Sequence, residues 1–353
     1  MSKFFSRSCR HTSIATLSIL MLLSGTAAFA QRYQRTDLTA DNGSVSSTAM
    51  LDPNLVNAWG ISHAPGGPNW VSDNGTDKAT IYDRNTGAKQ PPVVRIPHGA
   101  PTGNVFVPPR TGFNITANGK SGPAIFLFDT ESGAIEGWNF DVDLHRAIIA
   151  VDSSARGSVY KGLALDPTDK LLFAADFVNN QVQVFNNAFG LVRVFTDSGL
   201  PARFAPFNVA WIRNLVYVAF AKREKTGFDE LHGIGLGYVD VFDINGNLLQ
   251  RLIQQGKLNA PWGMAIAPTG FGPFAGNLLV GNFGDGKIHA YDAATGAFKG
   301  TLRGNDGTAL TIDGLWALEA GPNSNVTFTS GPYDESHGLI GLITPPSAAV
   351  AAR

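Results

Sequence analysis

One segment of this chain recurs along it, and that recurrence limits the fold more than any single motif does. Lys161-Gly162-Leu163-Ala164-Leu165, Leu171 to Phe177 and Gln181 to Asn186 are matched by Trp262-Gly263-Met264-Ala265-Ile266, Leu278 to Phe283 and Lys287 to Asp292. Each copy runs Gly-apolar-Ala-apolar, then a loop, then an apolar stretch with a small polar turn. A further stretch closes on an aromatic ring. That last piece returns at Ile135 to Trp138, Val182 to Phe185, Val239 to Phe242 and Ile288 to Tyr291, and more weakly at Ala79 to Tyr82. Turns follow with Asp or Asn and Gly: Tyr82-Asp83…Gly87, Phe185-Asn186…Gly190, Phe242-Asp243…Gly246 and Tyr291-Asp292…Gly296. Asp and Asn accept local backbone hydrogen bonds and Gly takes positive φ, so these read as hairpin turns.

The units open near Asn57, Pro101, Tyr160, Pro206, Asn259 and Asp313. A period of roughly 40–50 residues with four short strands is that of a propeller blade. The expected fold is all-β: one six-bladed β-propeller over residues 31–344, with a loose tail over 345–353. The last unit supplies three strands, Leu315 to Ala320, Val326 to Ser330 and Leu339 to Ile343. Tyr33 to Thr39 is expected to add the fourth, closing the ring without an exposed edge. Blade 2 is ambiguous, because Phe128-Asp129…Gly133 suits either its second or its third turn.

Residues 1–30 read as a secretory signal peptide. Lys3, Arg7 and Arg10 precede an apolar run from Ile14 to Leu23, and Ala28-Phe29-Ala30 is a small-x-small cleavage site. Cleavage leaves 24 basic against 28 acidic residues and no cysteine, since Cys9 is the only one. Disulfides, zinc-thiolate sites and Cys nucleophiles are thereby excluded from the processed chain. The charge balance gives no reason to expect nucleic acid. After cleavage no span is long and apolar enough to cross a bilayer as a helix. The expectation is a periplasmic or secreted monomer.

Leu55-Val56-Asn57-Ala58-Trp59-Gly60-Ile61, Pro101-Thr102-Gly103, Gly137-Trp138-Asn139, Tyr160-Lys161-Gly162-Leu163, Pro206-Phe207-Asn208, Leu258-Asn259-Ala260-Pro261-Trp262-Gly263, Leu279-Val280-Gly281-Asn282-Phe283-Gly284-Asp285-Gly286 and Asp313-Gly314-Leu315-Trp316 carry a resemblance across Leu51 to Leu342. They resemble an uncharacterised family of exported bacterial proteins that look like NHL-type propellers, some with exosortase-recognised sorting tails. This chain ends Thr344-Pro345-Pro346…Arg353, without the apolar anchor of such a tail. The resemblance implies a fold and export but no established activity. A looser, blade-level similarity runs to NHL and gluconolactonase-like propellers.

In a propeller, ligand groups come from the starts of the innermost strands and from the turns between second and third strands. The first set here is Asn57, Trp59, Thr102, Lys161, Phe207, Asn208, Asn259, Trp262 and Asp313; the second is Asp73, Asn74, Asp176, Asn282 and Asp285. Asn57, Trp59, Lys161, Asp176, Asn208, Asn259, Trp262 and Asp313 are the candidate ligand-binding residues. Oxygens of Asn57, Asp176, Asn259 and Asp313 could hold calcium, which takes six to eight such ligands; the plainer reading is that they bond backbone. Lys161 and Asp313 head opposite blades, so they are expected to oppose each other across the axis, as a channel salt bridge or as a substrate-binding pair.

Phe228-Asp229-Glu230-Leu231-His232-Gly233 recurs as Tyr333-Asp334-Glu335-Ser336-His337-Gly338, each between second and third strands. Asp229, Glu230, His232, Asp334, Glu335 and His337 are therefore expected over one mouth, as a shared site or as two solvated turns. His232, His337 and Asp313 are the candidate catalytic groups. Gly233-x-Gly235-x-Gly237 leads into a strand, so it lacks the helix of a phosphate loop. His-Glu-x-x-His and Gly-x-Ser-x-Gly are absent. The leading expectation is a module that binds a small molecule or an exported protein through its loop-rich face. The alternative is a calcium-assisted hydrolase of the lactonase or esterase type. A quinone-dependent dehydrogenase ranks last, with Lys161 as its only basic candidate.

Overall fold

Period-2 alternation settles how the strands pack. In the computed structural model, Leu172 and Ala174 face one neighbouring sheet while Phe173 and Ala175 face the other. Likewise Tyr217 and Ala219 point to one side and Val216, Val218 and Phe220 to the opposite one. Sheets buried on both faces must stack face to face. Six antiparallel units do so, five of four strands and the last with a short parallel fifth, Met50–Leu51, at its outer edge; the inner strand of each packs on that of the next, the sixth returning to the first. The structure describes residue 1 and residues 32–346, except 167, 169 and 226. The signal peptide read over residues 1–30 lies outside these, as do residues 347–353. Residues 31–353 form one unit.

Blade 1 comprises Ala58–Ser62, Asn69–Asp73, Lys78–Tyr82 and Lys89–Arg95. Blade 3 runs Tyr160–Asp166, Leu171–Asp176, Gln181–Phe185 and Leu191–Phe195, and blade 4 runs Phe204–Ile212, Leu215–Lys222, Gly237–Phe242 and Leu248–Gln254. Blade 5 has Pro261–Ile266, Leu278–Asn282, Ile288–Tyr291 and Phe298–Thr301. Blade 6 has Leu315–Ala320, Val326–Ser330 and Leu339–Thr344, completed by Gln34–Ala40 antiparallel to Leu339–Thr344. The expected latch is therefore present. Tyr33 beside it is buried, stacks near Phe271 at 4.8 Å and donates its hydroxyl to the Phe271 carbonyl at 3.0 Å.

Blade 2 resolves its ambiguity. Its strands are Pro101–Phe106, Phe126–Thr130, Ala134–Trp138 and Ile148–Asp152, so Phe128-Asp129…Gly133 is the second-to-third turn. A separate hairpin, Asn114–Ala117 with Lys120–Pro123, is inserted between the first two strands and was not expected from the repeat.

The ring closing each third strand has one job. Tyr82, Trp138, Phe185, Phe242 and Tyr291 each fill the core shared with the preceding blade. The Asx turns form as expected: the Asp83, Asp243 and Asp292 carboxylates accept local backbone N–H groups, and Gly87, Gly246 and Gly296 have positive φ. The Asn186 turn differs. Its left-handed residue is Phe189 (φ 62°), not Gly190, and the Phe189 ring packs on Phe113 at 5.4 Å.

Candidate functional site

In all six blades the pairing of inner and second strands slips at the same point. The slip lies between Ala58 and Ile61, Pro101 and Asn104, Tyr160 and Leu163, Pro206 and Asn208, Pro261 and Met264, and Leu315 and Leu318. Such a bulge re-aims a side chain. The residues released are Trp59, Thr102, Lys161, Phe207, Trp262 and Trp316, one per blade. In five of the six blades Gly or Ala follows, Asn208 being the exception, because the next blade's backbone is close: a Cβ on Gly60 would lie 2.4 Å from the Thr102 carbonyl, and one on Gly103 2.4 Å from the Leu163 nitrogen.

These side chains build a mostly aromatic layer across the axis. Trp59 and Trp316 stack with centroids 3.6 Å apart, Phe283 stacks on Trp316 at 3.9 Å, and Trp262 meets Trp316 edge-on at 5.9 Å. Thr102 instead donates its hydroxyl to the Asp129 carboxylate at 2.8 Å. Lys161 is the one cation in the layer. Its side chain is 2% exposed, and Nζ lies 5.4 Å from the Trp59 ring centre and 5.5 Å from Phe177. The Trp262 indole donates to the Lys161 carbonyl at 2.7 Å.

Carboxylates from the mouth loops neutralise that lysine. Glu131 lies 3.1 Å from Nζ, Asp229 3.5 Å and Glu230 3.8 Å. Burial alone would lower the Lys161 ammonium, but Glu131, Glu230 and Asp229 outweigh it and hold its pKa above the ordinary value. Burial would likewise raise Glu230; its bond to His232 and the Lys161 charge hold it below instead. His232 is raised by that same bond to Glu230, against the effect of burial, and then by the nearby Glu230, Glu335 and Asp334 charges. Its ring meets Phe283 edge-on at 5.2 Å.

A chain of hydrogen bonds continues around the mouth. Asn74 donates to Glu131 at 3.0 Å, and Asn57 donates to Asn74 at 3.2 Å and to Glu335 at 2.6 Å. The Trp316 indole donates to the Asn57 carbonyl oxygen at 2.8 Å. Glu335 is pushed up to about 7, chiefly by burial and then by repulsion from Glu230. The duplicated motifs therefore do bring Glu230 and Glu335 within one field. Their histidines part company: His337 turns to the latch, with Nδ1 2.7 Å from the Asp41 carboxylate.

The expected pair of Lys161 and Asp313 is not formed. Asp313 is exposed, ahead of the left-handed Gly314 (φ 60°), and accepts the Tyr333 N–H at 2.8 Å. The four proposed calcium ligands are already engaged in separate bonds. Asp176 accepts from Gln183 and Asn179, both at 2.8 Å, Asn259 accepts the Gly233 N–H at 2.6 Å, Asn57 serves Trp316, and Asp313 caps its loop. Among the described residues, no group of three or more His, Cys, Asp or Glu is arranged to hold a metal ion. Asn208 donates to the Trp262 carbonyl at 2.8 Å and accepts the Val209 N–H. Asp73 is wholly buried, which holds its carboxyl well above the usual range. Asn282 and Asp285 bond each other at 3.1 Å.

Glu131 is the mouth residue that sequence reasoning missed. Its N–H reaches the Ala100 carbonyl just as Asn74 reaches Asn57, Phe177 reaches Val159 and Phe283 reaches Ala260. Aligning second-strand ends would have placed it with Asn74, Phe177 and Phe283.

The other end of the axis is a cavity of about 500 Å3, lined by the far ends of all six inner strands. Trp262 and Ala317 of the central layer form part of its wall. His63 and Glu319 are the only titratable side chains among its lining residues, 3.4 Å apart.

The fold and the axial site define a closed, six-bladed propeller with chemically different ends. Solved structures that it resembles include a streptogramin B lyase (TM-score 0.55, 10% identity, 91% of this chain and 100% of that one) and a glucose dehydrogenase (TM-score 0.55, 13% identity, 89% and 100%). These likenesses concern the fold. No family model matches the chain. It is 30% identical over 316 residues to uncharacterized protein R648 of Acanthamoeba polyphaga mimivirus, covering 84% of this chain and 77% of that protein. It is 31% identical over 314 residues to uncharacterized protein L690 of the same virus, covering 84% and 82%. The chain belongs to the family of these two proteins. Both relatives are viral, so they carry no support for the exported bacterial origin that the resemblance implied.

Proposed function

We propose that this protein is an exported binding module whose loop-rich mouth receives a cationic group of its ligand. The observation that carries this reading is the charge imbalance over a rigid floor. Glu131, Asp229, Glu230, Asp334 and Glu335 come from the loops of three blades; the cations paired with them are Lys161 and His232, while Arg223, whose backbone bridges Glu230, turns its guanidinium to the Val178 carbonyl. Lys161 is shut beneath the carboxylates, while the Asp229 side chain is 73% exposed. A ligand approaching from solvent therefore meets carboxylate first. Since floor and walls are held by packed rings and a continuous hydrogen-bond chain, little is spent on ordering them.

Calorimetric titration with spermidine at low salt tests the reading. Binding is expected, weakening steeply as salt is added, and falling about tenfold or more in Asp229→Asn, because an exposed partner of the incoming charge is lost. Failure of spermidine to bind, or binding indifferent to salt and to Asp229, overturns it. Calcium-dependent turnover of a simple lactone at the same mouth would replace it with the hydrolase alternative.

A further inference from the structure

We propose that the cavity at the opposite end of the axis is a second binding site, for a small arylalkylamine whose ammonium pairs with Glu319. This goes beyond the mouth and does not depend on it.

At about 500 Å3 the cavity falls within the size range of small-molecule sites, roughly 300–1,000 Å3, and like them it sets polar groups among apolar and aromatic side chains. Leu163, Leu165 and Trp211, on blades 3 and 4, line the wall opposite blades 6 and 1, which carry Glu319 and His63; the leucines are anchored in the core between blades 2 and 3, and the Trp211 ring stacks on Phe173 at 6.1 Å. An aromatic body spanning the axis thus meets this packed wall on one side and Glu319 with His63 on the other.

The remaining polar side chains are committed. Asn104 donates to the Gly60 carbonyl and the Ser72 hydroxyl, each at 3.0 Å, and Ser62 donates to Asn104. Asn208 is held by Trp262 and Val209. No Lys or Arg is among the lining residues, and Arg84, which bears on Glu319, is bonded to the Ala320 carbonyl at 3.1 Å.

The pair itself is set to receive a cation. His63 Nδ1 lies 2.8 Å from the Ala64 carbonyl, a bond that needs the proton on Nδ1 and leaves the Nε2 lone pair facing Glu319. Burial lowers His63 and raises the Glu319 carboxyl to about 8; the only other charge bearing on Glu319 is Arg84, which pulls it down. Near neutral pH the carboxyl therefore holds its proton, with Nε2 3.4 Å away. An ammonium at Glu319 makes the carboxylate the better state, and the displaced proton leaves for solvent.

The test is calorimetric titration of the full chain with tryptamine at pH 6.5 in buffers of different ionisation enthalpy. The expected result is saturable binding with release of about one proton per ligand, weakened about tenfold or more in Glu319→Gln. Indole-3-propionate, with a carboxylate in place of the amine, is expected not to bind. Val105→Trp fills the cavity away from Glu319 and is expected to abolish binding. Asp229→Asn at the mouth is expected to leave it intact, so a failure here is separable from a failure of the mouth reading. No binding by wild type, equal binding by Glu319→Gln, absence of proton release, retention in Val105→Trp, or loss in Asp229→Asn overturns the proposal.

Discussion

The two ends of the axis are made by the same six strands, yet one is a charge network and the other a cavity of mixed lining with a single acid. At the mouth, Glu131, Asp229, Glu230 and Glu335 share one buried lysine and a chain of amides. At the far end Glu319 has only His63 and the influence of Arg84. The repeat fixes where each side chain stands, because the bulge recurs in every blade; the residue at each position then decides the chemistry. Between the ends lies the layer of packed rings around Trp316.

Breaking that layer should have the largest effect. Trp316→Ala removes a wholly buried ring that contacts Trp59, Trp262, Phe207 and Phe283, and is expected to cost about 3–5 kcal/mol by urea unfolding. Lys161→Met is next, at about 3 kcal/mol, because it leaves the buried Glu230 with only the half-exposed His232 as cation. Adding Glu230→Gln should recover much of that loss; a double variant as unstable as the single would mean the lysine matters through packing alone.

The pH profile sharpens the comparison. Both Glu335 and Glu319 titrate higher in the fold than the ordinary 4.5, near 7 and near 8. As pH rises from about 4.5, the unfolded chain releases these protons first, so stability falls until the folded midpoint is passed. Glu319→Gln should flatten this fall up to about pH 8, a gain of about 1–3 kcal/mol there, and Glu335→Gln up to about pH 7, a gain of about 1 kcal/mol. Unfolding at a series of pH values separates the two windows.

The smallest effects distinguish the paired histidines. His337→Gln loosens the contact with Asp41 beside the latch and should cost about 1 kcal/mol. His232→Gln, on a half-exposed ring beside Glu230, should cost under about 0.5 kcal/mol. Equal costs would restore the view of the two motifs as copies with one role.

Much of this architecture is legible in the sequence for a physical reason. Two-sided burial imposes apolar alternation, and each third strand needs a ring to fill the core it shares with the blade before it, so blade number and the Gln34–Ala40 latch follow from pattern. The mouth is legible in part. The duplicated loops announce Glu230 and Glu335, but a shared spacing does not tell that His337 faces Asp41 while His232 faces Glu230. Asp313 was misjudged because backbone conformation, not order along the chain, aims a side chain: Gly314 is left-handed and turns it to the Tyr333 amide. Glu131 was hidden by the hairpin inserted in blade 2, which lengthens that unit and obscures its alignment. The far cavity gave no motif at all, since His63 and Glu319 lie in different blades and nothing local links them.

Carbon-detected NMR titration of the glutamate carboxyls, in wild type and in Lys161→Met, tests most directly whether the aromatic layer isolates the two ends. The account predicts elevated midpoints near 7 for Glu335 and near 8 for Glu319, with the lysine's removal raising the first, because Lys161 holds it down, and leaving the second in place. Midpoints in the ordinary carboxyl range, or a Glu319 midpoint that moves together with that of Glu335, would contradict it.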